Sequence, residues 1–252
     1  MDLRQSVIAI TGAGRGLGQM MAISLAQAGA ELALLDLDET LLEDTKQQCN
    51  MLGVKALSYP IDVTKEQEVE QAFSDIVTDF GQLDGLINNA GILRDGLLIK
   101  VKDGVTSKMS LEQFNAVINV NLTGTFLCGR EAALHMVQQQ KSGVIINISS
   151  VARAGNIGQS NYAASKAAVA TLSATWGKEL ARYGIRSVAI APGVIETDMT
   201  RQMKPEAKQR LERAIPVGRL GHANEIASTV KFILENEYVN ARAIEVDGGI
   251  TM

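Results

Sequence analysis

Val7-Ile-Ala-Ile10, then Thr11-Gly12-Ala13-Gly14-Arg15-Gly16-Leu17-Gly18, then Gln19-Met-Met-Ala-Ile-Ser-Leu-Ala-Gln-Ala28 is the stretch that decides the fold. The four apolar residues are long enough for a buried strand, and the last ten carry a helical pattern. Strand, glycine-rich turn and helix in that order are the context in which such a turn binds a dinucleotide. Glycines let the backbone approach a pyrophosphate, and the helix N-terminus offers free N–H groups at the positive end of its dipole. The spacing is Gly-x-x-x-Gly-x-Gly over Gly12, Gly16 and Gly18.

Outward from that turn, apolar runs alternate with amphipathic stretches. The strand-like runs after Val7–Ile10 are Leu32–Leu35, Lys55–Tyr59, Gly85–Ile87, Val144–Ile148, Ser187–Ala191 and Ala243–Val246. Helical patterns lie near 16–28, 39–52, 65–80, 111–139, 160–183 and 223–235. Continuous apolar strands alternating with helices predict an α/β fold: one parallel sheet of seven strands with helices on both faces. No internal repeat, low-complexity tract or second domain interrupts the 252 residues, so a single domain over 1–252 is expected.

The run Asn161-Tyr-Ala-Ala-Ser-Lys166 sets Tyr162 and Lys166 four residues apart, one turn from each other on one helix face. An ammonium beside a phenol stabilises the phenolate. At ~4 Å and an effective dielectric of ~20 the attraction is roughly 4 kcal/mol before desolvation. The expectation is a lowered tyrosine pKa, useful for proton donation near neutral pH. Alone, the spacing more often marks an amphipathic helix with a surface lysine; it gains meaning only where the rest of the chain supplies a cofactor and a substrate oxygen.

A formal net charge of −4 argues against nucleic acid or an anionic membrane as partner. No apolar run approaches the ~20 residues needed to span a bilayer. Met1-Asp-Leu-Arg-Gln5 leads directly into a strand without a basic and apolar leader, so a cytoplasmic location is expected. Cys49 and Cys128 lie far apart and read as reduced packing residues. His135 and His222 stand apart from metal-ligand spacings, and no catalytic metal is expected.

With Asn88-Asn89-Ala90-Gly91, Ser150, Tyr162-x-x-x-Lys166, Pro192-Gly193 and the C-terminal Val246-Asp-Gly-Gly249, the chain resembles the short-chain dehydrogenase/reductase family along nearly its whole length. The resemblance implies a single-domain, doubly wound Rossmann fold with strand order 3-2-1-4-5-6-7. It also implies a homotetramer in which the alanine-rich helix 160–183 packs against its copy. It places the coenzyme along Gly12, Gly14, Arg15, Gly16, Leu17 and Gly18, with Asp62 and Val63 at the adenine and Asn89, Ala90 and Gly91 at the adenosine ribose. Pro192, Gly193, Ile195 and Thr197 fall at the nicotinamide. Asp62 reads equally as a cap for a helix starting at Thr64.

Asp36 ends the second strand, where a carboxylate accepts a hydrogen bond from the ribose 2′-hydroxyl and repels the 2′-phosphate of NADP. Arg15 points the other way, being basic where relatives that use NADP often are. NAD(H) is favoured from Asp36, with NADP(H) open.

By resemblance the catalytic set is Asn121, Ser150, Tyr162 and Lys166. Ser150 hydrogen-bonds a substrate carbonyl, Tyr162 delivers the proton, Lys166 acts on the phenol and the nicotinamide ribose, and Asn121 holds a proton relay. Strand alternation turns Ser149 away. Asn88-Asn-Ala-Gly-Ile-Leu-Arg-Asp95, Ala191–Met199 and Ile215–Gly221 are most like 3-oxoacyl-[acyl-carrier-protein] reductases and acetoacetyl-CoA reductases. The implied substrate is a small-molecule acyl thioester on coenzyme A or an acyl carrier protein, under a lid at about 193–216.

Two departures stand out. Residues 96–110 are longer than the corresponding loop, and are expected to be a solvated loop carrying Lys100, Lys102 and Lys108. The carrier-docking arginines of relatives correspond to Lys141 and Tyr183, beside Arg182. The rival readings are an NAD-dependent dehydrogenase of another secondary alcohol or ketone, and a non-catalytic coenzyme-binding regulator.

Overall fold

Alternating apolar strands and amphipathic helices wind into a three-layer sandwich. The computed structural model describes residues 1–196 and 205–251. The sheet strands are β1 (Val7–Thr11), β2 (Glu31–Asp36), β3 (Ala56–Pro60), β4 (Gly85–Asn88), β7 (Gly143–Ile148), β8 (Ile185–Pro192) and β9 (Ala243–Val246). All pair in parallel, in the spatial order β3-β2-β1-β4-β7-β8-β9. Counting only these seven strands, that is the expected 3-2-1-4-5-6-7. The order reverses between β1 and β4, which opens a crevice at the carboxyl ends of those strands.

The helices are α1 (Gly16–Gln27), α2 (Glu39–Met51), α3 (Glu66–Phe80), α4 (Leu111–Ile118), α5 (Thr125–Gln138), α6 (Ser160–Glu179), α7 (Pro205–Ala214) and α8 (Ala223–Glu235). Because strand side chains alternate, each strand feeds two cores. Ile8, Ile10, Leu32, Leu34, Ile146 and Val188 face one way, onto Met21 and Leu25 of α1 and Val230 and Ile233 of α8. Ala9, Ala33, Leu35, Leu86 and Ile145 face the other way, onto Phe73 and Ile76 of α3 and Leu127 and Met136 of α5. Among the described residues no helix is long and apolar enough to cross a membrane.

Three local expectations are corrected. First, the stretch 111–139 is not one uniform helix: a π-helical turn over Asn119–Gly124 separates α4 from α5. Gly124 packs so closely on Val63 that a Cβ there would lie 2.8 Å from Val63 Cγ2. The extra residue in the turn rotates Asn121 toward the segment after β4. Second, α3 begins at Glu66, not Thr64. Asp62 Oδ1 instead accepts from the backbone N–H (2.9 Å) and hydroxyl (2.7 Å) of Thr64.

Third, the extra residues after β4 are a regular antiparallel hairpin, not an irregular loop: β5 (Ile99–Lys102) and β6 (Val105–Lys108). Asp103 and Gly104, with φ of 52° and 76°, supply the two left-handed residues of a tight hairpin turn. The period-two alternation of Ile-Lys-Val-Lys then sorts the strand's apolar and charged side chains onto opposite faces.

Candidate active site

The crevice is built first from the turn after β1. Gly12 has φ of 65°, which an L side chain rarely adopts. A Cβ on Gly18 would run into the Gly12 carbonyl oxygen, so only glycine lets α1 start this close to the strand. Gly16 and Leu17 open α1, and exposed Arg15 precedes them with no side-chain cap on the helix. The Gly14 N–H donates to Asp36 Oδ2 (2.9 Å), while Leu37 N (2.8 Å) and Asp38 N (3.3 Å) donate to Oδ1. The carboxylate is thereby pinned at the end of β2, facing the turn. A cradle with no room for a Cβ at Gly12, Gly14 or Gly18, an uncapped helix N-terminus and a fixed carboxylate together fit a dinucleotide with its ribose at Asp36.

Across the crevice, Asn89 Nδ2 donates to the carbonyls of Thr11 (3.1 Å) and Gly12 (3.0 Å), and half-buried Ala90 follows it. A residue the motif reading passed over organises this junction. Thr11 Oγ1 accepts from the backbone N–H groups of both Asn89 (3.0 Å) and Ala90 (3.1 Å). Its signal was a hydroxyl ending an otherwise apolar strand. Gly91 lies against Asn121 and Lys166: a Cβ there would be 3.2 Å from Asn121 Oδ1 and 3.6 Å from Lys166 Nζ.

The sequence-predicted set Asn121, Ser150, Tyr162 and Lys166 converges on this point from three elements. Lys166 is buried on α6 and its ammonium donates to the Ile148 carbonyl at the end of β7 (2.7 Å). The same ammonium lies 5.7 Å from the centroid of the Tyr162 ring. Ser149 is buried and its hydroxyl donates to the Lys166 carbonyl (2.7 Å), while half-buried Ser150 faces the phenol. Asn121 is fully buried. It accepts from Ile92 N (2.8 Å), and its Nδ2 donates to Ile92 O (3.1 Å) and Ser165 Oγ (3.2 Å).

The electrostatics correct one expectation. The Tyr162 phenol is pushed up from its ordinary value, not down: burial is the largest cause, and the Asp95 carboxylate adds to it. A hydrogen bond with Ser150 draws it partly back. Lys166 does not offset the burial: its ammonium is turned toward the Ile148 carbonyl and stands 5.7 Å from the centre of the Tyr162 ring.

Asp95 was not singled out from sequence as a site residue. It is held by Gln159, whose Nε2 donates to Asp95 Oδ2 (3.0 Å). Asn161 Nδ2 donates to the Arg94 carbonyl (3.0 Å), fixing the same segment against the start of α6.

Lys166 itself is lowered to about 8 by desolvation. Between about 8 and the ordinary 10.5 the unfolded chain holds a proton that the folded chain has released. Stability therefore rises with pH through that window, and the burial cost is fully present below it. The cost is roughly 3 kcal/mol at about 1.4 kcal/mol per pH unit. Lys166→Met is expected to gain stability relative to the natural chain at neutral pH, with the difference shrinking as pH approaches 10. Urea unfolding of both proteins at pH 7 and pH 9.5 checks this, and a pH-independent difference would contradict it.

The remaining sequence-predicted positions are more dispersed. Val63 is buried in the core beneath Gly124, and Asp62 is engaged by Thr64. Pro192 ends β8 in register with Val246, and Gly193 packs so tightly on Asp247 that a Cβ would lie 2.6 Å from its Cα. Ile195 forms a parallel bridge with Gly221. Thr197, and the part of the expected lid from 197 to 204, lie outside the described residues. The described remainder of the lid includes α7, whose Lys208 reaches Glu196 at 3.5 Å. Among the described residues no group of His, Cys, Asp or Glu is arranged to hold a metal ion.

This geometry is matched by known proteins. The chain is 38% identical over its full length to the 3-oxoacyl-[acyl-carrier-protein] reductase of Thermotoga maritima, covering 100% of that protein. It is equally 38% identical to the enzyme of that name from Staphylococcus aureus, again with both chains covered completely. Among solved structures it superposes on NAD+-bound xylitol dehydrogenase with a TM-score of 0.89 at 31% identity, covering 99% of this chain and 100% of that one. Levodione reductase follows with a TM-score of 0.87 at 35% identity, covering 97% of each chain. The short chain dehydrogenase profile matches residues 6–208, and with the glycine turn, the buried lysine and the phenol assembled in one crevice, the chain belongs to the short-chain dehydrogenase family.

Proposed function

We propose that this protein reduces the 3-oxo group of an acyl thioester, carried on coenzyme A or an acyl carrier protein, to the 3-hydroxyacyl thioester, with NADH as the preferred reductant. The observation that carries this reading is a protonated phenol in hydrogen-bond reach of Ser150, next to a buried lysine and at the mouth of a dinucleotide crevice. Full-length similarity to two 3-oxoacyl-[acyl-carrier-protein] reductases supports the substrate class. A dinucleotide held by its pyrophosphate at the Gly12–Gly18 turn would supply the hydride from its nicotinamide ring.

The residues do the rest. Ser150 donates a hydrogen bond to the substrate carbonyl oxygen and fixes it beside the phenol. As negative charge grows on that oxygen, Tyr162 transfers its proton to it. The raised proton affinity of the phenol keeps that proton in place across neutral pH. Lys166 supplies a nearby positive charge to the phenolate left behind, and with a pKa of about 8 it can itself exchange a proton near neutrality. Asn121, locked to Ile92 and Ser165, holds the π-turn beside Lys166 for proton relay. Asp36, fixed by three N–H groups, selects the ribose hydroxyl over a 2′-phosphate.

Assembly into a homotetramer through the alanine-rich α6 belongs to the same reading, to be measured as mass in solution. A second reading, oxidation of a polyol or reduction of a cyclic ketone, draws on the fit to xylitol dehydrogenase and levodione reductase. The deciding experiment measures turnover of acetoacetyl-CoA, acetoacetyl carrier protein, xylitol and small ketones with both NAD(H) and NADP(H). Thioester reduction with a NADH preference is expected. Turnover of the polyol or ketones alone would favour the second reading.

A further inference from the structure

We propose that the β5–β6 hairpin is a docking arm for an acidic carrier protein that presents the tethered thioester. The inference rests on the thioester reading above and adds the surface that receives the partner. The hairpin is exposed along its whole length. Two-stranded hairpins are marginal alone in water, and this one leaves Ile99 56%, Val101 68% and Val105 68% exposed.

Its register sorts the side chains. Ile99 opposite Lys108 and Val101 opposite Thr106 form one face, while Lys100 opposite Ser107 and Lys102 opposite Val105 form the other. Three lysines stand against one aspartate in ten residues of a chain whose net charge is −4. None of the three lysines makes an ion pair among the described residues. A basic, partly apolar arm fits an acidic partner, steering its approach through charge and seating it on the apolar side chains.

The arm's attachment selects a carrier of substrate over a second copy of this chain, which is also acidic. Its base is bonded to the loop that leads into the catalytic helix: Gly96 N donates to Gly158 O (2.8 Å), and Gly96 bridges to Gln159. Gln159 also holds Asp95, the carboxylate that acts on Tyr162. Met109 N donates to Leu98 O (3.1 Å), closing the stem. Ile157, 89% exposed, stands on the same rim beside Gly158. A protein seated on the arm therefore lies at the mouth of the crevice, where a pendant thioester reaches the phenol.

The test compares the natural chain, the charge-reversed K100E/K102E/K108E and the conservative K100R/K102R/K108R. Each is assayed with acetoacetyl carrier protein and with acetoacetyl N-acetylcysteamine, at low and high salt. Charge reversal is expected to raise KM for the carrier substrate about tenfold at low salt, less at high salt. Both parameters for the small thioester should stay unchanged, and the arginine variant should match the natural chain. An equal loss on both substrates, or no change with the carrier, overturns the proposal. A fall in assembly mass with unchanged carrier KM would assign the arm to contacts between copies instead. If the natural chain reduces neither thioester, the underlying reading fails, which is a different result from failure of the arm.

Discussion

Tyr162→Phe is expected to lower kcat for carbonyl reduction about a thousandfold, within the 10²–10⁴ that a positioned general acid contributes. The substitution removes one oxygen and keeps the ring that packs at the start of α6. The Lys166 ammonium still donates to the Ile148 carbonyl, and the Ser150 hydroxyl still accepts from Ala152 N (3.1 Å), so the pocket keeps its shape. The glycine turn and Asp36 are untouched, so NADH affinity measured by fluorescence titration should stay within about twofold. The variant should also lose the alkaline dependence of the natural enzyme. With the phenol raised by burial and Asp95, reduction holds through neutral pH and declines as the phenol ionises, while alcohol oxidation rises over the same range. A Tyr162→Phe protein with near-normal kcat would remove the phenol from the mechanism.

Asp36→Ser is expected to raise the ratio of kcat/KM for NADPH over NADH about a hundredfold. A carboxylate about 5 Å from a 2′-phosphate, at an effective dielectric of about 20, opposes it by roughly 3 kcal/mol per unit charge. Serine removes the repulsion and weakens the bond to the ribose hydroxyl, so the two coenzymes move in opposite directions. Asp36 also accepts from Gly14, Leu37 and Asp38, so some loosening of the turn accompanies the change. Thermal melting followed by circular dichroism separates that loss, which acts on both coenzymes alike, from the change in ratio. Parallel steady-state assays with NADH and NADPH give the ratio, and one left unchanged would take the discriminating role away from Asp36.

Most of the scaffold was legible from local chemistry. Ile8 and Ile10 alternate with Ala9 in a run that reads as a buried strand, and the glycines that follow read as a close turn into a helix. Tyr162 and Lys166 share a helix face because of their spacing. The failures have a common origin in contacts between distant segments. Hydrophobic periodicity did not reveal the π-turn at Asn119–Gly124, whose shape follows from Gly124 meeting Val63 and Asn121 bonding Ile92. Asp-Gly at 103–104 was a readable hairpin signal, but the flanking lysines and short strands read as a solvated loop.

By itself, then, the sequence determined the α/β order, the parallel sheet and the coenzyme turn. Strand alternation, helix periodicity and glycine's freedom act over a few neighbouring residues. Only the tertiary structure decided the proton affinities at the reacting end. It brings Asp95 and Ser150 to the Tyr162 phenol and turns the buried Lys166 ammonium to the Ile148 carbonyl. Desolvation and Coulomb interactions depend on distance and burial in space, which spacing along the chain does not encode.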